Sequence, residues 1–177
     1  MKEIIKKFMV YKYDELTEDQ KLKVLEKQAD INVDHEWWKY IYGEAKDLGF
    51  KIEGFDLDRN NYCKIKMIDS GCEIAEEIIK NHGESCETYK HAKQFLDYWK
   101  TLVEKYSDGI NKDQVHENNE YEFDQDADEL EEEFKKTLQE DYRIMLQQEY
   151  DYLTSREAIE EIIKANDYDF TEDGDIY

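Results

Sequence analysis

The sequence predicts an α+β fold: a small three-stranded antiparallel sheet with helices, followed by a long acidic amphipathic helix. Three observations carry this. Two strand-like stretches, Phe50 to Leu57 and Tyr62 to Ile68, flank turn residues at Asp58–Asn61, as in a hairpin. Ser or Thr followed three residues later by Glu or Gln marks several helix starts. From Ala127 onward, Leu130, Phe134, Leu138, Tyr142, Met145, Tyr150 and Leu153 recur every three to five positions, the period of a helix with one buried stripe.

In chain order, residues 3–13 mix β-branched, aromatic and Lys residues around Phe8, Val10 and Tyr13, which reads as the third strand. Thr17 with Gln20 forms a capping box for a helix through about Ala29, packed on Leu22 and Leu25. Asp34 suits the N-cap of a second helix, with Trp37, Ile41, Ala45 and Leu48 on one face and Gly49 closing it. Trp37 and Trp38 then read as one core anchor and one half-exposed ring.

In the second hairpin strand, Cys63, Ile65 and Met67 alternate with Tyr62, Lys64 and Lys66, so the Lys pair lies on the face away from the core. Ser70 and Glu73 form another capping box, for a helix on Ile74, Ile78 and Ile79 that ends at Asn81–His82–Gly83. Ser85 is the expected cap of a longer helix on Tyr89, Ala92, Leu96, Trp99, Val103 and Tyr106. Thr154 or Ser155 caps a short last helix, and the tail carries a strand or a turn at Asp173–Gly174. The domain reading is an α+β domain over 1–107, an acidic linker over 108–126, and an acidic helical region over 127–177 packed on the first part.

Charge is concentrated in the second half. From Glu117 to Tyr177 there are 22 acidic residues against five basic ones, so 17 of the 22 net negative charges lie there. Within Glu117–Glu133 ten of seventeen residues are acidic and none is basic. Such a surface repels DNA, RNA and anionic membranes and attracts a basic protein surface. With 40% hydrophobic and 14% aromatic residues, the chain has enough apolar material to build a core. Cys63, Cys72 and Cys86 make an odd count without a CxxC pair, which fits a reducing cytoplasm. No apolar run reaches the roughly 18 residues that a membrane span needs.

No phosphate, nucleophile or zinc signature is present: GxxxxGK[ST], GxGxxG, GxSxG and HExxH are all missing. His82, Cys86 and His91 lie near one another, but their spacing matches no standard metal site and helix-end packing suits them better. Asp124, Asp126 and Asp128 match the opening of a calcium loop, yet Glu129 stands where Gly is required and Lys135 where the bidentate Glu belongs. Neither a metal nor a cofactor is therefore expected, and the chain does not read as an enzyme.

Several segments together resemble a family of small acidic proteins encoded by phages and other mobile elements. They are YKYDEL from Tyr11 to Leu16, Trp37 and Trp38 with Tyr42 and Ala45–Lys46, FDLDR from Phe55 to Arg59, His82–Glu84 with Cys86–Tyr89, Glu149–Ser155, and Ala165–Phe170 with Asp173–Gly174. The compact acidic profile is similar to that of anti-CRISPR inhibitors of the type II Cas nuclease and of antirestriction DNA mimics. What the resemblance implies is an inhibitor acting in the cytoplasm of a bacterial host on a basic nucleic-acid-binding protein, foremost a Cas nuclease. The type II nuclease has a positively charged channel and arginines that read the PAM. Glu120, Glu122, Asp124, Asp126, Asp128, Glu129, Glu131, Glu132 and Glu133 would there stand in for phosphates. The alternatives are an antirestriction mimic of another enzyme, and a structural or regulatory phage protein, such as a helix-mediated dimer, whose acids form only a solvated face.

Overall fold

In the computed structural model, residues 9–107, 115 and 119–177 are described. The chain is mixed helix and strand, with six α-helices and two small two-stranded sheets among these residues. It divides into two compact units, one of residues up to Trp37 with Gln148–Tyr177, the other of Trp38–Gln147. These bounds differ from the three ranges read in the sequence.

The first unit pairs β1 (Tyr11–Lys12) with β4 (Asp169–Phe170) antiparallel, Tyr11 opposite Phe170. The expected third strand of the hairpin sheet is thus corrected: only Tyr11 and Lys12 of it are extended in a ladder, their partner is the C-terminal segment, and Tyr13–Glu15 already turn as a 3-10 helix. The stretch from 3 to 8 lies outside the described residues. α1 (Glu18–Lys27) starts from the Thr17–Gln20 capping box, and α6 (Arg156–Ala165) starts from Ser155, whose hydroxyl accepts from Ala158 N at 3.2 Å. Their apolar faces meet in one core of Tyr13, Leu16, Val24, Ile159, Ile163 and Phe170. Val24 is the buried anchor of α1, whereas Leu22, expected inside, is 52% exposed. At 100° per residue the helix can bury Val24 or Leu22, not both, because they are 200° apart. Trp37 packs on Tyr150 with ring centroids 5.8 Å apart.

The second unit opens on α2 (Lys39–Asp47), which begins later than the Asp34 cap suggests: Trp38 occupies the N-cap without a side-chain hydrogen bond. Gly49, at φ 95°, closes it and turns the chain into the hairpin of β2 (Phe50–Asp56) and β3 (Tyr62–Met67). Phe50, Ile52, Cys63 and Ile65 are buried on one face, and Lys51, Lys64 and Lys66 are exposed on the other. α3 (Gly71–Asn81) starts from the Ser70–Glu73 capping box. α4 (Glu87–Tyr106) is capped by Cys86 rather than Ser85.

α5 (Glu120–Leu153) is a single helix of 34 residues. Residues 120–126, placed in the linker by the sequence reading, are its first turns; 108–114 and 116–118 lie outside the described residues. Within this unit Phe134 stacks on Phe95 of α4 at 4.3 Å, and Tyr142 meets Phe50 of β2 edge-on at 4.9 Å. Leu138 and Leu146 complete the stripe, while Leu130 and Met145, expected inside, are only half-buried.

Candidate functional site

The candidate surface is the N-terminal half of α5. Glu, a strong helix former, is the commonest residue of this stretch and neither Gly nor Pro interrupts it, so local propensity and the buried stripe agree on a helix. Negative charge concentrated toward the N-terminal end is also favoured by the helix dipole, with Glu120 and Glu122 in the first turn.

The nine acids do not form one uniform ridge. Asp126 is tied down: its Oδ2 accepts from Lys105 Nζ and from Tyr106 OH, both at 2.8 Å. The Lys105 hydrogen bond, then that of Tyr106, holds its carboxyl below the usual range. Glu131 Oε1 accepts from Gly71 N at 2.9 Å, satisfying a free amide in the first turn of α3. Glu132 lies 3.1 Å from Lys135 in an exposed i,i+3 pair.

Glu120, Glu122, Asp124, Asp128, Glu129 and Glu133 are exposed, and among the described residues none has a cation partner. Helical spacing sorts these six into two rows, Glu120–Asp124–Asp128 at intervals of four and Glu122–Glu129–Glu133 at intervals of seven and four. The cavities beside the helix follow this division. Asp128 lines a cavity of about 640 Å³ with Glu131, Glu132 and Lys135 opposite Lys64 and Lys66 of β3. Glu129 and Glu133 instead face α4, where cavities of about 230 and 320 Å³ share Tyr98, Leu130 and Glu133.

Charge density follows from the rise. Over residues 120–133, about 20 Å of helix at 1.5 Å per residue, six free carboxylates give roughly one charge per 3–4 Å, about half the linear density of duplex DNA. The other three ridge acids carry charge too, but two of them are engaged in holding the fold.

The inward positions of α5 also hold polar groups, one of them, Asp141, not singled out by the sequence pattern. Asp141 is buried on α5 and its Oδ2 lies 2.8 Å from His91 Nδ1 of α4. Burial pushes its carboxyl up, with the His91 contact acting in the opposite direction. The signal was available: Asp141 sits seven residues after Phe134 and three after Leu138, inside the apolar stripe. Tyr142 OH is buried without a hydrogen-bond partner among the described residues, and burial raises its phenol.

The residues weighed as metal ligands are drawn apart. His82 Nδ1 lies 2.6 Å from Thr88 Oγ1, and its Nε2 is 2.8 Å from Glu44 Oε1 at an angle that makes no hydrogen bond. His91 turns to Asp141, and Cys86 is exposed at the start of α4. Asp124, Asp126 and Asp128 sit on a helix rather than a loop, so successive members point about 200° apart. Among the described residues no three His, Cys, Asp or Glu side chains gather in a metal-holding group. Nor is any described helix long and apolar enough to cross a membrane.

No protein family, curated protein or solved structure matches the chain.

Proposed function

We propose that this chain is a phage-encoded anti-CRISPR protein that inhibits a type II Cas nuclease by occupying its DNA- and PAM-binding surface. The acids of α5 take the place of phosphates before the nuclease's arginines. One observation carries the reading: six exposed carboxylates, without cation partners among the described residues, are held in two rows on one helix. Rigid placement matters because the partner's cations are met without ordering a flexible tail first.

The test is competition. Purified nuclease, with and without guide RNA, is titrated with the protein while binding of labelled target DNA is followed. Parent protein displaces DNA, and displacement weakens as salt rises, since exposed charges are screened within about 8–10 Å at physiological ionic strength. The variant Glu122→Gln, Asp128→Asn, Glu129→Gln, Glu133→Gln removes four free charges and leaves Asp126 and Glu131 in place. At about 0.2–1 kcal/mol per exposed pair, it weakens binding by roughly 1–4 kcal/mol. A folded quadruple variant that still inhibits as well as the parent refutes the role of the ridge. Failure on the Cas nuclease together with inhibition of a restriction enzyme would move the target to another DNA-binding enzyme, with the electrostatics unchanged.

A further inference from the structure

The two cavities between α4 and α5 form one groove, because Tyr98, Leu130 and Glu133 line both. Its floor is apolar at the centre, where Leu102 and Leu130 are half-buried along it and Phe95 and Phe134 stack beneath, while His91, Gln94 and Thr137 line one end. Its rim is acidic, with Glu129 and Glu133 exposed and without cation partners among the described residues. Among the described residues one Lys lines it, Lys105, and it is paired with Asp126 at 2.8 Å. Tyr98 stands at the rim with 54% of its surface exposed, its hydroxyl accepting from Gln94 Nε2 at 3.0 Å.

An apolar floor, an acidic rim and an exposed aromatic face at their junction together fit one kind of side chain best. A guanidinium is planar, stacks on an aromatic ring and offers a fork of donors to carboxylates, while its aliphatic stem covers apolar surface. An ammonium matches the charge but not the stacking. A ridge that only repels nucleic acid would have no use for the floor.

We infer that the α4–α5 groove seats an arginine-bearing, amphipathic segment of a protein partner, its guanidinium over Tyr98 and against Glu129 and Glu133 and its apolar residues on Leu130. This rests on the proposal that the partner is basic, and it narrows that partner's contact to a peptide-like segment with Arg and apolar residues in alternation. The other row of acids, Glu120, Asp124 and Asp128, lies outside the groove.

The test uses the full chain and a fluorescein-labelled synthetic peptide of alternating Arg and Leu, with Lys-for-Arg and Glu-for-Arg versions as controls, read by anisotropy. The Arg peptide is expected to bind, the Lys peptide at least threefold more weakly, and the Glu peptide not at all. Tyr98→Ala is expected to weaken the Arg peptide about threefold or more and to erase the preference over Lys, consistent with an exposed cation–π contact. Glu129→Gln with Glu133→Gln is expected to weaken it about tenfold, while Asp124→Asn with Asp128→Asn changes it less than twofold. Equal losses from the two double variants, or equal binding of the Arg and Lys peptides, overturn the groove. All five positions are exposed, and circular dichroism is used to check that each variant stays helical. Because no nuclease is present, loss of peptide binding is distinguishable from failure to compete with DNA.

Discussion

Phe134→Ala tests whether α5 is a structural member of its unit or a charged appendage. Phe134 is 4% exposed and lies on Phe95 with ring centroids 4.3 Å apart and planes 17° off parallel. Truncation loses the transfer free energy of the ring and leaves a cavity beside a rigid partner ring, a change that costs about 3–5 kcal/mol in well-packed sites. Of this, roughly 0.5–1.5 kcal/mol belongs to the aromatic pair itself. For a chain of this size each kcal/mol corresponds to about 2–4 °C, so the melting temperature should fall by about 6–20 °C. Urea unfolding followed by circular dichroism and by tryptophan fluorescence measures the change in midpoint, with the slope compared to exclude an altered denatured state. Tyr121→Ala, at a residue 75% exposed on the same helix, is the control and should shift stability by less than about 0.5 kcal/mol. A Phe134→Ala loss below about 1 kcal/mol, or equal to that of Tyr121→Ala, would refute the packing of α5 onto α4.

Four further outcomes are expected. Burial pushes the Cys63 thiol up to about 12 and that of Cys72 to about 11, while Cys86 is exposed, so a thiol-disulfide reagent should label Cys86 promptly, the half-buried Cys72 more slowly and the buried Cys63 only on unfolding. Gly174→Ala should destabilise by more than the roughly 1 kcal/mol of backbone strain alone, since φ is 87° and the new Cβ would lie 2.9 Å from Val24 N; a neutral effect in thermal melts would contradict the turn. The folded carboxyl of Asp141 is raised, so the native state holds that proton more tightly than the unfolded one; its stabilising effect is present at low pH and lost as pH climbs above the ordinary value of 3.8. Unfolding midpoints across that range should therefore fall in the parent relative to Asp141→Asn. Glu131→Ala should destabilise by about 1–3 kcal/mol because it leaves the Gly71 amide without its acceptor, whereas Glu133→Ala should change stability by less than about 0.5 kcal/mol.

Local chemistry was the legible part. The capping boxes at Thr17 and Ser70, the Ser155 cap, the positive-φ turn at Gly49 and the alternation that buries Cys63 and Ile65 are all decided within a few residues. The caps expected at Asp34 and Ser85 went elsewhere because tight turns, not side-chain oxygens, lead into α2 and α4 there. The pairing of β1 depends on residues nearly 160 positions away, and no local pattern announces such a partner. For the candidate site, the charge of α5 was plain in the sequence. The division of its acids into free and engaged was not, because Asp126 and Glu131 are chosen by Lys105, Tyr106 and Gly71 from other segments.

The ladder between Tyr11 and Phe170 also bears on how the molecule is made. Ribosomes add about 5–20 residues per second, so Phe170 follows Tyr11 by roughly 8–30 s. During that interval Tyr13, Leu16 and Val24 await Ile159, Ile163 and Phe170, with which they share a core. The unit from Trp38 to Gln147 waits less, since its partners, Phe50 and Tyr142 among them, are all present once Gln147 has emerged. Synthesis therefore imposes an order that the finished fold conceals: the interior of the chain can settle first, and its two outer segments close together last. A premature stop before Phe170 would leave the early segment as exposed apolar surface, a target for chaperones and proteases.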